Sequence, residues 1–511
     1  MSQDTAYIVM KNITKTFGKV IANDNVNFSV QKGEIHSLLG ENGAGKSTLM
    51  NMLSGIYIPD SGSIFIRGEE VKFYSPKDSI NAGIGMIHQH FKLVDTLSAL
   101  ENIIIGQKTG FFINKKSLEN KIKEIISAFG LEVDLHKKVY DMSVGEKQNL
   151  EILKVLYRGA KILILDEPTA VLTPQETRKL FAIMRKMKEQ GCAVIFISHK
   201  LNEVMEISDK ITVLRKGKTV KTLNKSETNP QELTELMVGH PVDLSIKRLE
   251  RQSSEVVLKV RNLRAVNEEG VEVLKGINFD LHAGEILSVA GIAGSGQKEL
   301  CETIAGLYPV TSGEILFKEE DLVGKTPKEI ISKGISMSFV PEDRLGMGLV
   351  AAMDIVDNIL LKQYQTQKGL LLSRKPATAK AKEIIKKLDI QTPSIYHPIR
   401  DLSGGNIQKV LLGRELDTNP EVLITAYPVR GLDINTCYKI YDLLNEEKKK
   451  GVAILFIAED LDSLIGLSDR IMVLSNGEVM GILDARKATK EEIGLMMLGE
   501  KIKKTEGAYA V

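Results

Sequence analysis

Gly40-Glu41-Asn42-Gly43-Ala44-Gly45-Lys46-Ser47 is the stretch of this chain best equipped for chemistry. Its spacing matches G-x-x-x-x-G-K-[ST] without a departure. Glycines at Gly40, Gly43 and Gly45 let the backbone curl so that successive N–H groups point inward at an anion. A helix beginning at the loop adds partial positive charge. Lys46 supplies a full charge for terminal phosphates, the Ser47 hydroxyl a hard ligand for Mg²⁺, and Thr48 continues the helix start. A fortuitous glycine turn is the plain alternative, and the flanks argue against it. Ile35 to Leu39 reads as a buried strand and Thr48 to Leu53 as the start of a helix.

A second group follows downstream. Ile162-Leu163-Ile164-Leu165 is an apolar run that ends in Asp166-Glu167-Pro168. Such a run reads as a buried parallel strand, and ligands of open α/β sheets bind beyond strand C-termini. There one carboxylate can hold Mg²⁺ and the next can orient an attacking water. Gln89, at the end of the strand Ile84 to Ile87, could join the metal shell. His199 ends the strand from Ala193, and on its own is more ordinary as a satisfied strand-end residue. Phe17, upstream of the glycine loop, could stack on a base or simply pack in a sheet. Ser143 and Gly145 stand before an apparent helix, Asn149 to Tyr157, where a helix start can hold an anion or be merely capped.

The elements that must position these groups fall into two copies. Gly33-Glu34-Ile35 recurs as Gly284-Glu285-Ile286, Ser143 as Ser403, and Pro168 as Pro428. The expected organisation is an α/β domain over 1–240, a polar linker over 241–255, a second α/β domain over 256–500 and a loose tail over 501–511. Val9 to Asn12 and Val26 to Val30 alternate in strand fashion, and Leu97 to about Arg158 reads as a helical insert. The copies differ in their chemistry. In the second loop, Gly291 to Lys298, Gln297 stands where the first copy has Lys46, and Lys298 where it has Ser47. The second acidic strand reads Val422 to Pro428 with Ala426-Tyr427 in place of the carboxylates, and Ala458-Glu459 replaces Ser198-His199. Yet Leu402-Ser403-Gly404-Gly405-Asn406 is a better anion-facing helix start than its first-copy counterpart.

With 511 residues, more than one core is expected. A net charge of +2 argues against a nucleic-acid surface. Three scattered cysteines suggest neither disulfides nor a zinc site and fit a reducing compartment. The residues from Met1 lack the basic-then-apolar order of a signal peptide, and no apolar run reaches the ~18 residues of a membrane span.

These motifs resemble the ATP-binding cassette family over nearly the whole chain. The resemblance implies two tandem P-loop NTPase domains, each with a helical subdomain, that use ATP and Mg²⁺. Gly40–Ser47 resembles the Walker A loop, Asp166 and Glu167 the Walker B pair, Gln89 the Q-loop, His199 the switch histidine, and Leu402–Gln408 the signature. In that family cassettes pair head to tail. The resemblance therefore implies one competent site, in which Lys46, Ser47, Asp166, Glu167 and His199 meet Ser403, Gly404, Gly405 and Asp433. It also implies a degenerate site that pairs Gln297 with Ser143-Val144-Gly145-Glu146. Fused cassettes without spans are similar to the ATPases of bacterial nucleoside and sugar importers. Ile87–Phe91, Ser143–Gly145 and Pro168–Glu176 look closer to the nucleoside branch. The implied partners are two membrane permeases, docked near Gln89 and Glu342, and an external binding lipoprotein. The implied location is the cytoplasmic face of the membrane. A monosaccharide importer ATPase, a soluble twin-cassette translation factor and a non-hydrolysing ATP-sensing scaffold are the alternatives.

Overall fold

The structure is a computed structural model that describes residues 6–88, 91–106, 115–170, 172–198, 200–241, 246–251, 253–332, 337–341, 343–364, 367 and 371–500. The chain divides into two compact units, Met1–Asp243 and Leu244–Val511.

In the first unit six strands form one sheet, in the order Lys218–Asn224, Lys210–Arg215, Ile35–Leu39, Ala193–Ile197, Ile162–Asp166, Ile84–Ile87. All neighbours are parallel except the edge strand Lys218–Asn224. Ile35–Leu39 is buried throughout, with strands on both sides, and its two polar residues are satisfied inside the sheet, His36 by Thr212 and Glu34, and Ser37 by Ser208. A four-stranded antiparallel sheet accompanies it, built on the hairpin Ala6–Phe17 and Val20–Gln31. The two alternating runs noted above are thus parts of much longer strands. Leu49, Met50 and Leu53 of the helix Lys46–Leu53 share one core with Ile8 and Val26 of the antiparallel sheet and Ile164 and Ile195 of the parallel one. That burial fixes the helix start at the C-terminal end of the central strand.

Among the described residues the helical insert contains the α-helices Ala99–Ile104, Lys115–Phe129 and Val144–Tyr157. Two helices begin earlier than their apolar pattern suggests, at Lys46 rather than Thr48 and at Val144 rather than Asn149. A helix's first turn has unpaired N–H groups and tolerates Gly, Lys and Ser, so hydrophobic periodicity is blind to it.

The second unit repeats both sheets, with Ile286–Ala290 central between Ala453–Ile457 and Arg470–Ser475. Its helices Ile355–Gln363, Lys375–Leu388 and Gly404–Leu416 match the insert. Part of the stretch expected as linker lies on this unit. Ile246 fills the space a side chain on Gly466 would need, and Asn445 and Lys448 donate to the carbonyls of Lys247 and Leu249. The tail 501–511 lies outside the described residues.

Candidate nucleotide site

The loop before Lys46–Leu53 has no room for side chains at two of its glycines. A Cβ on Gly40 would stand 2.4 Å from the Leu214 carbonyl oxygen, and one on Gly45 2.4 Å from that of Ala22. Gly45 also has φ +98°, a conformation that favours glycine. Asn23, fully buried, donates from Nδ2 to the Gly45 carbonyl at 3.2 Å and so ties the loop to the antiparallel hairpin. The helix behind has no acidic residue in its first turn and no side-chain cap, so the partial positive charge of its start is left unopposed. Asn42 and Gly43 are exposed at the loop's crest, with Gly43 at φ +81°.

Lys46 is 7% exposed, and its Nζ donates to the carbonyls of Gly40 at 2.6 Å and Glu41 at 3.0 Å. Burial pushes its pKa down, while Glu167, Asp166 and Glu41 pull the other way and favour the charged form. Asp166 shows the complement. Burial and then the neighbouring Glu167 push its pKa up, opposed by Lys46 and by the Ser47 hydroxyl that faces it. Lysine, hydroxyl and two carboxylates, 119 residues apart between Ser47 and Asp166, therefore act on one another. An oxyanion with a divalent cation would satisfy all of them. The Ser47 and Asp166 oxygens are hard donors of the kind that would suit Mg²⁺.

Glu167 has φ +47°, in the left-handed region that a non-glycine side chain rarely adopts, and its N–H donates to the Ile197 carbonyl at 3.0 Å. Strain of this kind collects at functional positions. Phe17 is 43% exposed, with Tyr57 edge-on at 5.2 Å between centroids and Lys15 Nζ 5.7 Å from its ring. Gln89 and His199 lie outside the described residues.

The second unit keeps the backbone and changes the groups. Gln297 is 3% exposed, and its Nε2 donates to the Ile292 carbonyl at 3.1 Å, the position held by Glu41 in the first loop. A neutral amide thus occupies the lysine's place. Lys298 runs along its own helix toward Glu302 at 3.8 Å and is largely exposed. Tyr427 retains the strained turn, with φ +51° and its N–H on the Ile457 carbonyl at 2.9 Å, but carries no carboxylate. Glu459 pairs with Arg430 at 3.1 Å.

The two signature helix starts differ in the opposite sense. Ser143 caps Val144–Tyr157 in a closed box: Glu146 N–H donates to Ser143 Oγ, and the Glu146 carboxylate accepts from Ser143 N–H at 2.7 Å. Lys137 Nζ lies 2.8 Å from both carboxylate oxygens. A fixed anion already sits at that helix start. Ser403 heads Gly404–Leu416 with no side-chain cap and no acid in the first turn, and its Oγ accepts from a side-chain amide, Asn406 Nδ2 at 2.9 Å. Gly405 lies where a Cβ would stand 3.6 Å from Asp433 Oδ2, and Asp433 caps the next helix through Thr436 N–H and Oγ1, each at 2.8 Å. The S-x-x-E signal of the first box is legible in sequence. The support from Asn23 is not, because nothing local links it to Gly45.

A family model described as ABC transporter matches residues 23–170 and 274–428. The chain is 42% identical over 507 residues to a nucleoside import ATP-binding protein of Lactococcus lactis, covering 98% of this chain and all of that protein. It is 43% identical over 497 residues to a guanosine import ATP-binding protein of Bacillus subtilis, covering 96% and 97% of the two chains. A glucose import ATP-binding protein of Haloferax volcanii is 38% identical over 531 residues, covering 96% of each. Fold and site define an ATPase of the P-loop class with two cassettes. The chain belongs to the ABC transporter family, as an ATP-binding protein with both cassettes in tandem. No helix among the described residues is long and apolar enough to cross a membrane.

Proposed function

We propose that this chain is the ATPase subunit of a nucleoside importer and that its chemistry is done at the first unit's loop. One observation carries the second half of this reading. Lys46, Ser47, Asp166 and Glu167 interact at one strand end, whereas the second unit replaces each of them. Lys46 neutralises charge on the terminal phosphates, and Glu167 accepts a proton from the attacking water. Mg²⁺ on Ser47 and Asp166 supplies further charge neutralisation when bound. Phe17 offers its open face to the adenine. Gly40, Asn42, Gly43, Gly45 and Thr48 shape the loop. Gln89 and His199 complete the set as metal ligand and phosphate contact. On the pairing that the family resemblance implies, Ser403, Gly404, Gly405 and Asp433 serve the same nucleotide from the second cassette. Cassette closure moves two permease partners at the cytoplasmic face of the membrane, supplied by an external binding lipoprotein.

The nucleoside assignment is supported by near full-length likeness to two import proteins named for nucleosides. Monosaccharide import is the second reading, favoured by the glucose relative. ATPase stimulation of the assembled transporter by a panel of nucleosides and sugars decides between them. A nucleoside must stimulate and monosaccharides must not, and the reverse pattern would replace this proposal.

A further inference from the structure

The second unit lost its loop lysine but gained two cations elsewhere. Strand Met337–Val340 pairs with Val422–Ala426 as Ile84–Ile87 does with Ile162–Asp166, so the copies can be aligned residue by residue there. Arg430, three residues past Tyr427, then corresponds to Ala170, whereas Arg344 lies in the loop from Val340 to Val350, which is longer than its first-unit counterpart from Ile87 to Val94. Neither charge is inherited from a requirement of the shared fold.

Both arginines line a cavity of about 410 Å³, together with Asp343, Leu345 and Ile407. Arg344 Nη2 donates to the Arg430 carbonyl, which brings the two loops together. A side chain on Gly404 would begin 3.4 Å from Arg344 Nη1, so the guanidinium stands beside the uncapped start of Gly404–Leu416. Ile407 brings that helix's first turn to the cavity wall. Among the described residues no carboxylate pairs with Arg344. Asp343 spends Oδ1 on the N–H groups of Leu345 and Gly346, at 3.2 and 2.7 Å. Arg430 shares its charge with Glu459. Burial, then the charge of Arg430, pushes the Arg344 pKa down, so the pair is a repulsive arrangement that an anion would relieve.

We propose that Arg344 and Arg430 form an oxyanion subsite on the second unit that takes a phosphate group. Guanidinium forks bind phosphate oxygens bidentately, and the bare helix start beside them adds partial positive charge. That the phosphate belongs to ATP rests on the ATPase reading above. The preference for an oxyanion does not.

The test uses the full chain carrying Lys46→Ala, which weakens phosphate binding at the first loop, titrated calorimetrically with sodium orthophosphate and with tripolyphosphate at low ionic strength. Adding Arg344→Gln keeps a donor for the Arg430 carbonyl but removes the charge. It is expected to weaken phosphate binding about tenfold, while Arg344→Lys, which keeps the charge and loses the fork, falls between that variant and its parent. Should Arg344→Gln fail to fold, as judged by its thermal melt, the exposed Arg430→Gln carries the same comparison. In the chain with Lys46 intact, a raised KM for ATP in Arg344→Gln assigns the phosphate to the nucleotide. An unchanged KM with weakened phosphate binding assigns it to free phosphate. If folded Arg344→Gln and Arg430→Gln both bind phosphate as tightly as their parent, or the parent binds none, the subsite does not exist. Failure of the ATPase reading itself would appear separately, as no phosphate release from ATP by the unmodified chain.

Discussion

The two units are one backbone with two chemistries. At the strand end, Glu167 and Tyr427 sit in the same left-handed turn and make the same bond to the neighbouring strand, yet only one offers a carboxylate. In the loops, Lys46 and Gln297 both fold back onto loop carbonyls, yet only one is charged. At the signature helices the asymmetry reverses, because Ser143 is closed by Glu146 and Ser403 is open to an anion. The second unit has therefore not decayed at random. Its core and turns persist while the groups that would activate water are gone, and the groups that would grip a phosphate from a helix start remain. Geometry is retained by packing, and chemistry can be exchanged on top of it at small cost in stability.

Breaking the first unit's chemistry has the largest expected effect. Glu167→Gln should cut phosphate release by about a thousandfold, the scale of a lost general base, while equilibrium dialysis shows ATP still bound. Next comes the comparison of helix starts. A bulky cation at Ser403, Ser403→Arg, should lower hydrolysis by about a hundredfold, against less than about threefold for Ser143→Arg, whose helix start already holds an anion. Equal losses would remove the distinction between the two starts.

The third contrast concerns stability. Burial alone would raise the pKa of Glu285, but His282 and Arg470 outweigh it and hold the carboxyl down at about 2. A depressed carboxyl stabilises the fold above its unfolded pKa of 4.5 and loses that contribution as pH falls through about 2. The melting temperature should thus fall as pH drops from about 5 toward 2, and Glu285→Gln should flatten that slope. The smallest effect belongs to the degenerate loop. Gln297→Ala should change the hydrolysis rate by less than about twofold in a steady-state assay, since a neutral amide contributes no charge to the transition state.

Much of this was legible in the sequence because it rests on local patterns. Glycine spacing, apolar strands ending in carboxylates and the repeat itself are read without tertiary information. The starts of Lys46–Leu53 and Val144–Tyr157 were less legible, since first-turn residues answer to anion and cap chemistry rather than to hydrophobic period. Asn23 beneath Gly45, and Arg344 against the Arg430 carbonyl, come from distant segments that only the folded sheet brings together. The self-closing of Ser143 by Glu146 was half visible. The charge stood out in the sequence, but its capping bond and its ion pair with Lys137 needed coordinates.

Phosphate release by the Lys46→Ala chain, assayed with Mg²⁺ and saturating ATP, tests the central claim most directly. Confinement of the chemistry to the first unit predicts a rate below about 1% of wild type, as expected when a charge on the transferring phosphate is lost. Hydrolysis at a near wild-type rate would place the working site elsewhere in the molecule and contradict the account.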